Sequence, residues 1–105
     1  MSSLPIAWYR INLSREQFDS GETEIVRAAF RGAYIACNGP RGAVLYGGWG
    51  DDRATYRLYF TPPALRCARA LLKAYSGEVC DPPDTRRLEW LYGDTDPQAG
   101  FRLAF

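Results

Sequence analysis

The chain has 105 residues, a length that corresponds to one domain with its own hydrophobic core. Hydrophobic residues make up 47% and charged residues 24%, which excludes a disordered chain, and a net charge of +1 argues against a strongly basic nucleic-acid-binding domain. There is no histidine, the side chain that most often transfers protons near neutral pH, which argues against a hydrolase and against most zinc sites.

The first third of the chain predicts a strand followed by a helix. Residues 6–13 alternate between apolar and mixed positions, which is typical of a strand with one buried face. Residues 14–17 match a capping box and residues 19–22 provide a second start signal, so a helix is expected to begin between them. Over residues 24–38 only one narrow stripe is polar. This pattern predicts a helix that is covered over most of its circumference.

The middle of the chain predicts a hairpin and a second helix. Residues 43–49 and 54–60 are two apolar runs separated by four residues that favour a tight turn. Two adjacent glycines in the first run indicate a bulge or a close backbone approach. Thr61 is expected to cap a helix over residues 62–76, because proline follows it at the first helical position.

The last third predicts one more strand and a short addition to the sheet. Residues 86–92 alternate, with Trp90 on the apolar side and Leu91 on the other, and residues 101–105 predict a fifth strand after a turn. The order of elements is therefore β-α-β-β-α-β. We expect an α+β two-layer sandwich with a ferredoxin-like antiparallel sheet and two helices on one face.

No catalytic or metal-binding motif is present. The spacing of Cys37, Cys67 and Cys80 does not match a zinc half-site, so we expect three structural thiols, of which only Cys80, in a loop, is open to solvent. The serines form no nucleophile elbow, and the single lysine is not part of a phosphate-binding loop. The sequence therefore predicts no catalytic residue, no metal ion and no cofactor.

Two surfaces are candidates for binding. The first is the sheet face turned away from the helices, where alternation places aromatic rings among polar and arginine side chains: Trp8, Arg10, Asn12, Tyr46, Arg57, Tyr59 and Arg87. The second, weaker candidate is a basic helix face for an anionic partner, formed by Arg27, Arg31, Arg66, Arg69 and Lys73. A solvated helix surface is the ordinary explanation of this second set.

These surfaces favour a small non-enzymatic interaction module that forms a homodimer or docks a protein partner through the open sheet face, since aromatic and arginine side chains dominate interface energetics. The alternative is a binder of single-stranded nucleic acid or another anionic ligand. A third hypothesis is an enzyme that uses Asp, Glu, Tyr or Arg side chains. No charge-free stretch is long enough for a membrane span and no secretory signal is recognisable, so a cytoplasmic location is expected.

Overall fold

The computed structural model describes residues 7–94 as a mixed α+β fold, so the predicted fold class is confirmed. The helices are α1 (Arg15–Asp19), α2 (Glu22–Ala36) and α3 (Leu65–Ala74), and two 3-10 turns lie at Pro62–Ala64 and Thr85–Arg87. The strands are β1 (Trp8–Ser14), β2 (Val44–Trp49), β3 (Thr55–Phe60), β4 (Glu78–Cys80) and β5 (Glu89–Gly93). Every strand pair in the sheet is antiparallel, and the order is β4-β1-β3-β2-β5.

The predicted ferredoxin-like order is not confirmed, because the sheet has a fifth strand and its fourth strand is not the predicted one. The sequence predicts the fourth strand over residues 86–92, but the strand in this region begins at Glu89 and pairs with β2. The fourth strand is β4, which pairs with β1 at the opposite edge. Three residues are too few to show alternation, so β4 gives no sequence signal. The predicted strand over residues 101–105 lies outside the described residues.

The first helical region contains two helices rather than one. The capping box is confirmed, because Ser14 Oγ accepts a hydrogen bond from the Gln17 amide and Gln17 Oε1 accepts one from the Ser14 amide, at 3.1 and 2.8 Å. This helix ends at Asp19, and Gly21, in the left-handed region at φ 87°, allows the chain to start α2. Both start signals are therefore used, each by its own helix.

The prediction that the longer of these helices is covered over most of its circumference is wrong. Val26 and Phe30 are the buried residues of α2, whereas Ile25 and Ile35 are 57% and 59% exposed. The sheet, α1 and α3 contact this helix, and its buried residues Val26 and Phe30 lie on the side that faces the core. Within residues 7–94, no further layer lies over the opposite side.

The hydrophobic core lies between the helices and one face of the sheet. The strands contribute Ile11, Leu13, Leu45, Leu58 and Phe60, and the helices contribute Val26, Phe30, Cys67, Ala68 and Leu72. The predicted alternation of β1 and β3 is confirmed, because every second residue of these strands enters the core. Their intervening residues must therefore face the other way.

Thr61, which lies between the hairpin and α3, does not have its predicted role as a helix cap. Its side chain makes no helix-capping hydrogen bond. Thr61 Oγ1 instead donates to the Gly42 carbonyl oxygen at 2.7 Å and accepts from the Val44 amide at 2.9 Å. The hydroxyl thus joins the end of β3 to the start of β2, and a 3-10 turn separates Thr61 from α3.

The predicted sides of β5 are wrong because of a bulge. Leu45 is paired with Tyr92 and Tyr46 with Trp90, so Leu91 is an extra residue in β5. Leu91 is buried in the core and Trp90 is 46% exposed. The predicted close backbone approach in β2 is confirmed, since a Cβ atom on Gly47 would lie 2.5 Å from the Tyr56 hydroxyl.

Candidate functional site

The strand register brings six of the predicted sheet residues to one face. Directly paired residues of neighbouring strands project to the same side of a sheet. Arg10 and Tyr46 are both paired with Tyr59, and Asn12 is paired with Arg57. Trp8 lies two residues before Arg10 in β1, so it projects to the same side. We call this set the aromatic–arginine face, and its members are Trp8, Arg10, Asn12, Tyr46, Arg57 and Tyr59.

Arg87, the seventh predicted residue, does not lie in a strand. It ends the second 3-10 turn and is exposed. Its carbonyl oxygen lies 3.6 Å from the position of a Cβ atom on Gly48, and Leu88 Cδ2 lies 2.7 Å from that position. Gly48 is paired with Arg57, so the segment that joins β4 to β5 ends against the aromatic–arginine face.

The position of this connection follows from the topology. The strands β4 and β5 are the two edges of the sheet, so residues 81–88 span a width of about 19 Å, four strand spacings. The end of the connection at Leu88 fills the space over Gly48. The aromatic–arginine face is therefore less open than the sequence indicates.

The aromatic rings of the face differ in their accessibility. Trp8 and Tyr46 stack with ring centroids 5.9 Å apart and planes 25° from parallel. Tyr59 is predicted to be accessible but is only 8% exposed. It therefore packs beneath its neighbours and is not available for contact with a ligand.

Trp90 is paired with Tyr46, but its ring stacks on Tyr92 with centroids 6.3 Å apart. It also lines a groove with Glu24 and Arg27, so its side chain lies at the outer edge of β5 next to α2.

Arg10 and Asn12 are already occupied by an acidic residue of β4. Glu78 Oε1 accepts hydrogen bonds from Arg10 Nε and Nη2 at 2.9 and 2.6 Å, and from Asn12 Nδ2 at 2.9 Å. The Asn12 and Arg10 hydrogen bonds hold the pKa of Glu78 below its ordinary value, so this carboxylate is ionised at neutral pH. Sequence analysis misses Glu78 because β4 gives no strand signal.

Arg57 is different from its neighbours. Its positive charge contributes to the lowered pKa of Glu78, but its side chain makes no hydrogen bond or ion pair with the residues that the structure describes, and its Nε is buried. A Cβ atom on Gly50 would lie 3.0 Å from Nε, so the guanidinium group packs against the backbone there. Arg57 is therefore a positive charge, partly removed from water, with unused hydrogen-bond donors.

The five residues of the predicted basic helix face are all exposed, but they have different surroundings. Arg27 Nε donates to the Leu91 carbonyl oxygen at 2.9 Å, and Arg27 Nη1 donates to Glu24 at 3.2 Å. Arg27 and Arg31 line a groove of about 460 Å³ between α2 and Tyr92 of β5. Arg66, Arg69 and Lys73 belong to α3.

Two of the three thiols have raised pKa values. Burial, with a contribution from the nearby Cys37, raises the pKa of Cys67 to about 11. Cys80 lies in β4 rather than in a loop, and burial raises its pKa. The prediction that Cys80 is the only thiol open to solvent is wrong, because Cys37 is also half-buried. A protonated thiol is a poor nucleophile and a poor metal ligand.

Two kinds of feature are absent from the described part of the chain. Between residues 7 and 94, no three Cys, Asp or Glu side chains come together as a metal site requires. In the same range, no helix has both the length and the apolar character that crossing a membrane demands. No protein-family model, curated protein or solved structure matches the chain. The function is therefore inferred from the geometry of the surfaces.

Proposed function

We propose that the protein is a non-enzymatic interaction module that docks a protein partner through the aromatic–arginine face, with a carboxylate of the partner bound to Arg57. The observation that carries this proposal is the guanidinium group of Arg57, which has no hydrogen bond or ion pair with the described residues and whose Nε is buried. The partner is defined by its chemistry, which is an acidic side chain flanked by apolar or aromatic residues.

The energetics of Arg57 support an external anion. A charged group that is partly removed from water loses hydration, and that loss is offset only when its donors find acceptors. A hydrogen bond to a charged group contributes roughly 1.5–3 kcal/mol. The planar guanidinium fork matches the two oxygens of a carboxylate. An arriving carboxylate would therefore bind the terminal Nη donors of Arg57, for which the described residues provide no hydrogen bond.

The aromatic neighbours of Arg57 support a protein partner. The stacked Trp8 and Tyr46 rings provide apolar area on the same face, and Tyr46 lies two residues along β2 from Gly48, a strand partner of Arg57. Tryptophan, tyrosine and arginine are the residue types that most often dominate the binding energy of protein interfaces. A surface of this kind needs no catalytic group.

A different protein fits this face better than a second copy does. In a twofold interface the same patch meets itself, so Arg57 would approach the equivalent positive region of the other copy. Glu78, the carboxylate that pairs with β1 on this face, is already bound by Arg10 and Asn12. Among the described residues of this face, a second copy would offer a carboxylate whose Oε1 atom already accepts three hydrogen bonds. We assign this face to a partner with its own carboxylate.

Single-stranded nucleic acid is the second candidate ligand, favoured by the stacked Trp8 and Tyr46 rings on the same face as Arg57, an arginine without an ion pair among the described residues. Two observations weigh against it. Glu78 neutralises Arg10, and the net charge of the chain is only +1. Few phosphate contacts are therefore available to provide affinity.

Selection from a displayed library of random peptides tests the proposal even while the natural partner is unidentified. We expect enrichment of peptides that contain Asp or Glu next to aromatic or apolar residues. Arg57→Ala should then weaken binding of a selected peptide by roughly 10- to 100-fold, the equivalent of one charge-assisted hydrogen-bonded pair. Arg69→Ala, a change at an exposed arginine of α3, is the matched control and should leave affinity unchanged.

The same variants separate the two candidate ligands. If a single-stranded oligonucleotide binds with an affinity that falls steeply with salt, and Arg57→Ala removes this binding, the second candidate replaces the first. If wild-type protein selects no peptide, or if selected peptides bind Arg57→Ala as tightly as wild type, the proposed function is wrong.

A further inference from the structure

The outer side of α2 carries an apolar stripe that faces away from the core. Its members are all exposed or half-buried and recur every three or four residues, the spacing of one helix face. We call this set the outer stripe of α2, and it consists of Ile25, Ala28, Ala29, Gly32, Ile35 and Ala36. The two isoleucines expose more than half of their surface. Large aliphatic side chains on a stripe with this spacing are typical of helix–helix contacts.

Gly32 points independently to a close neighbour. Glycine in the interior of a helix destabilises it relative to alanine, because glycine loses more conformational freedom on folding. A Cβ atom on Gly32 would meet nothing within 4 Å. No contact within the described part of the chain therefore requires glycine at this position. A second helix that approaches the backbone of α2 closely would require it.

We infer that the outer stripe of α2 packs against the same stripe of a second copy of this chain, with the two helices antiparallel. When two copies of the stripe are antiparallel, the residues that meet are similar in size. An antiparallel pair centred at the level of Phe30 places Ile25 opposite Ile35 of the second copy. The same centre places Ala28 opposite Gly32 of the second copy. Large residues then meet at both ends, and small residues meet where the helices cross.

The residues beside the stripe include one pair of opposite charge that approaches in the same arrangement. Glu24 and Arg31 both lie on the side of α2 that faces the groove next to β5. Arg31 makes no ion pair or hydrogen bond within residues 7–94. In the antiparallel pair, Glu24 of one copy and Arg31 of the other are separated by about 7.5 Å along the helix axis, a span that these long side chains cover. Glu24 also binds Arg27 of its own chain at 3.2 Å, so in the dimer each Glu24 would lie between two guanidinium groups, one from each copy. Two equivalent groups of this kind would flank the apolar contact.

This interface is separate from the aromatic–arginine face, which lies on the other side of the sheet. The inference therefore goes beyond the proposed function and does not depend on it. A dimer formed through α2 leaves both aromatic–arginine faces on the outside, so it presents two docking surfaces for partners.

Gly32→Ala tests the inference because it has opposite effects on the monomer and on the dimer. At low protein concentration, where the monomer dominates, we expect the melting temperature to rise by about 4 °C, since alanine favours the helix. In sedimentation equilibrium the dimer dissociation constant should rise by at least about tenfold, because a methyl group separates the helices. A structural role within one copy would not produce this pair of effects.

Ile35→Glu and Ala70→Glu form a matched pair on the two helices. Both positions are exposed, so neither change should prevent folding. Ile35→Glu should abolish the dimer, because it places a carboxylate in the apolar contact, and Ala70→Glu should not change the association. Ile35→Glu should also keep the peptide affinity of the wild type, so failure of this inference is distinguishable from failure of the proposed function.

Exchange of the flanking charges fixes the direction of the helices. Arg31→Glu and Glu24→Arg should each weaken the dimer, and the double variant should recover most of the loss. A wild type that stays monomeric at every concentration would overturn the inference. So would a dimer that tolerates both Ile35→Glu and Gly32→Ala, and a dimer that is lost in Trp8→Ala but kept in Ile35→Glu.

Discussion

The two longer helices pack on the same sheet but differ in how their outer surfaces are composed. The outer side of α3 carries Arg66, Arg69 and Lys73, and the buried residues Cys67, Ala68 and Leu72 face the core. The apolar residues of α2 instead surround most of the helix, and the core covers only the side of Val26 and Phe30. The surface of α3 is suited to water, whereas α2 has more apolar surface than residues 7–94 cover. This excess is the basis for assigning a second copy to α2.

Truncation of one buried and one exposed residue of α2 tests this comparison most strongly. Phe30→Ala should destabilise the monomer by about 3–5 kcal/mol, because Phe30 is fully buried against Phe60 and its loss leaves a cavity. Ile35→Ala should change the free energy of unfolding by less than about 0.5 kcal/mol. Urea unfolding at low protein concentration measures both values. Equal losses would show that the outer stripe is already covered within one copy.

The threonines near the starts of the two helices provide the next test. Thr61→Val removes a buried hydroxyl that makes two hydrogen bonds, so we expect a loss of about 1–3 kcal/mol. Thr23→Val, in the first turn of α2, removes a buried hydroxyl oxygen that has no partner among the described residues, and it should cause no loss. Thermal unfolding of the two variants checks the difference. A larger loss at Thr23 would contradict the assigned contacts.

The smallest expected effect concerns Glu78, which anchors the strand after α3. Its pKa is lower in the folded protein than its ordinary value of 4.5, so its stabilisation is present above that pH and is lost as the pH falls through the folded pKa. Glu78→Gln should therefore cost about 0.5 kcal/mol at pH 7, a small value because the side chain is half exposed. The difference from wild type should shrink below pH 4.5. A difference that is constant with pH would disprove the ion pair.

Local signals in the sequence are sufficient for the elements that depend on neighbouring residues. The capping box of Ser14 and Gln17 is predicted correctly because both partners lie within one helical turn. The hairpin is also predicted correctly, since its turn residues and its alternation agree. The strand β4 and the bulge at Leu91 are missed because both depend on pairing with strands that are distant in the sequence.

Six of the seven predicted sheet residues lie on one face, but the charge balance of that face is not predictable from the sequence. Alternation alone places Trp8, Arg10 and Arg57 on one face, as the register of β1 and β3 confirms. The sequence cannot show that Arg10 is paired and Arg57 is not. That difference depends on where β4 brings Glu78, and a three-residue strand leaves no periodic signal.

Hydrogen–deuterium exchange at low and high protein concentration tests most directly the claim that α2 and α3 have different kinds of outer surface. If a second copy covers the outer stripe of α2, amide exchange over residues 25–36 should slow as the concentration rises. Exchange over α3 and over β3, which carries Arg57, should not change with concentration. Slowing confined to α3 or to the aromatic–arginine face, or no dependence on concentration anywhere, would contradict the account.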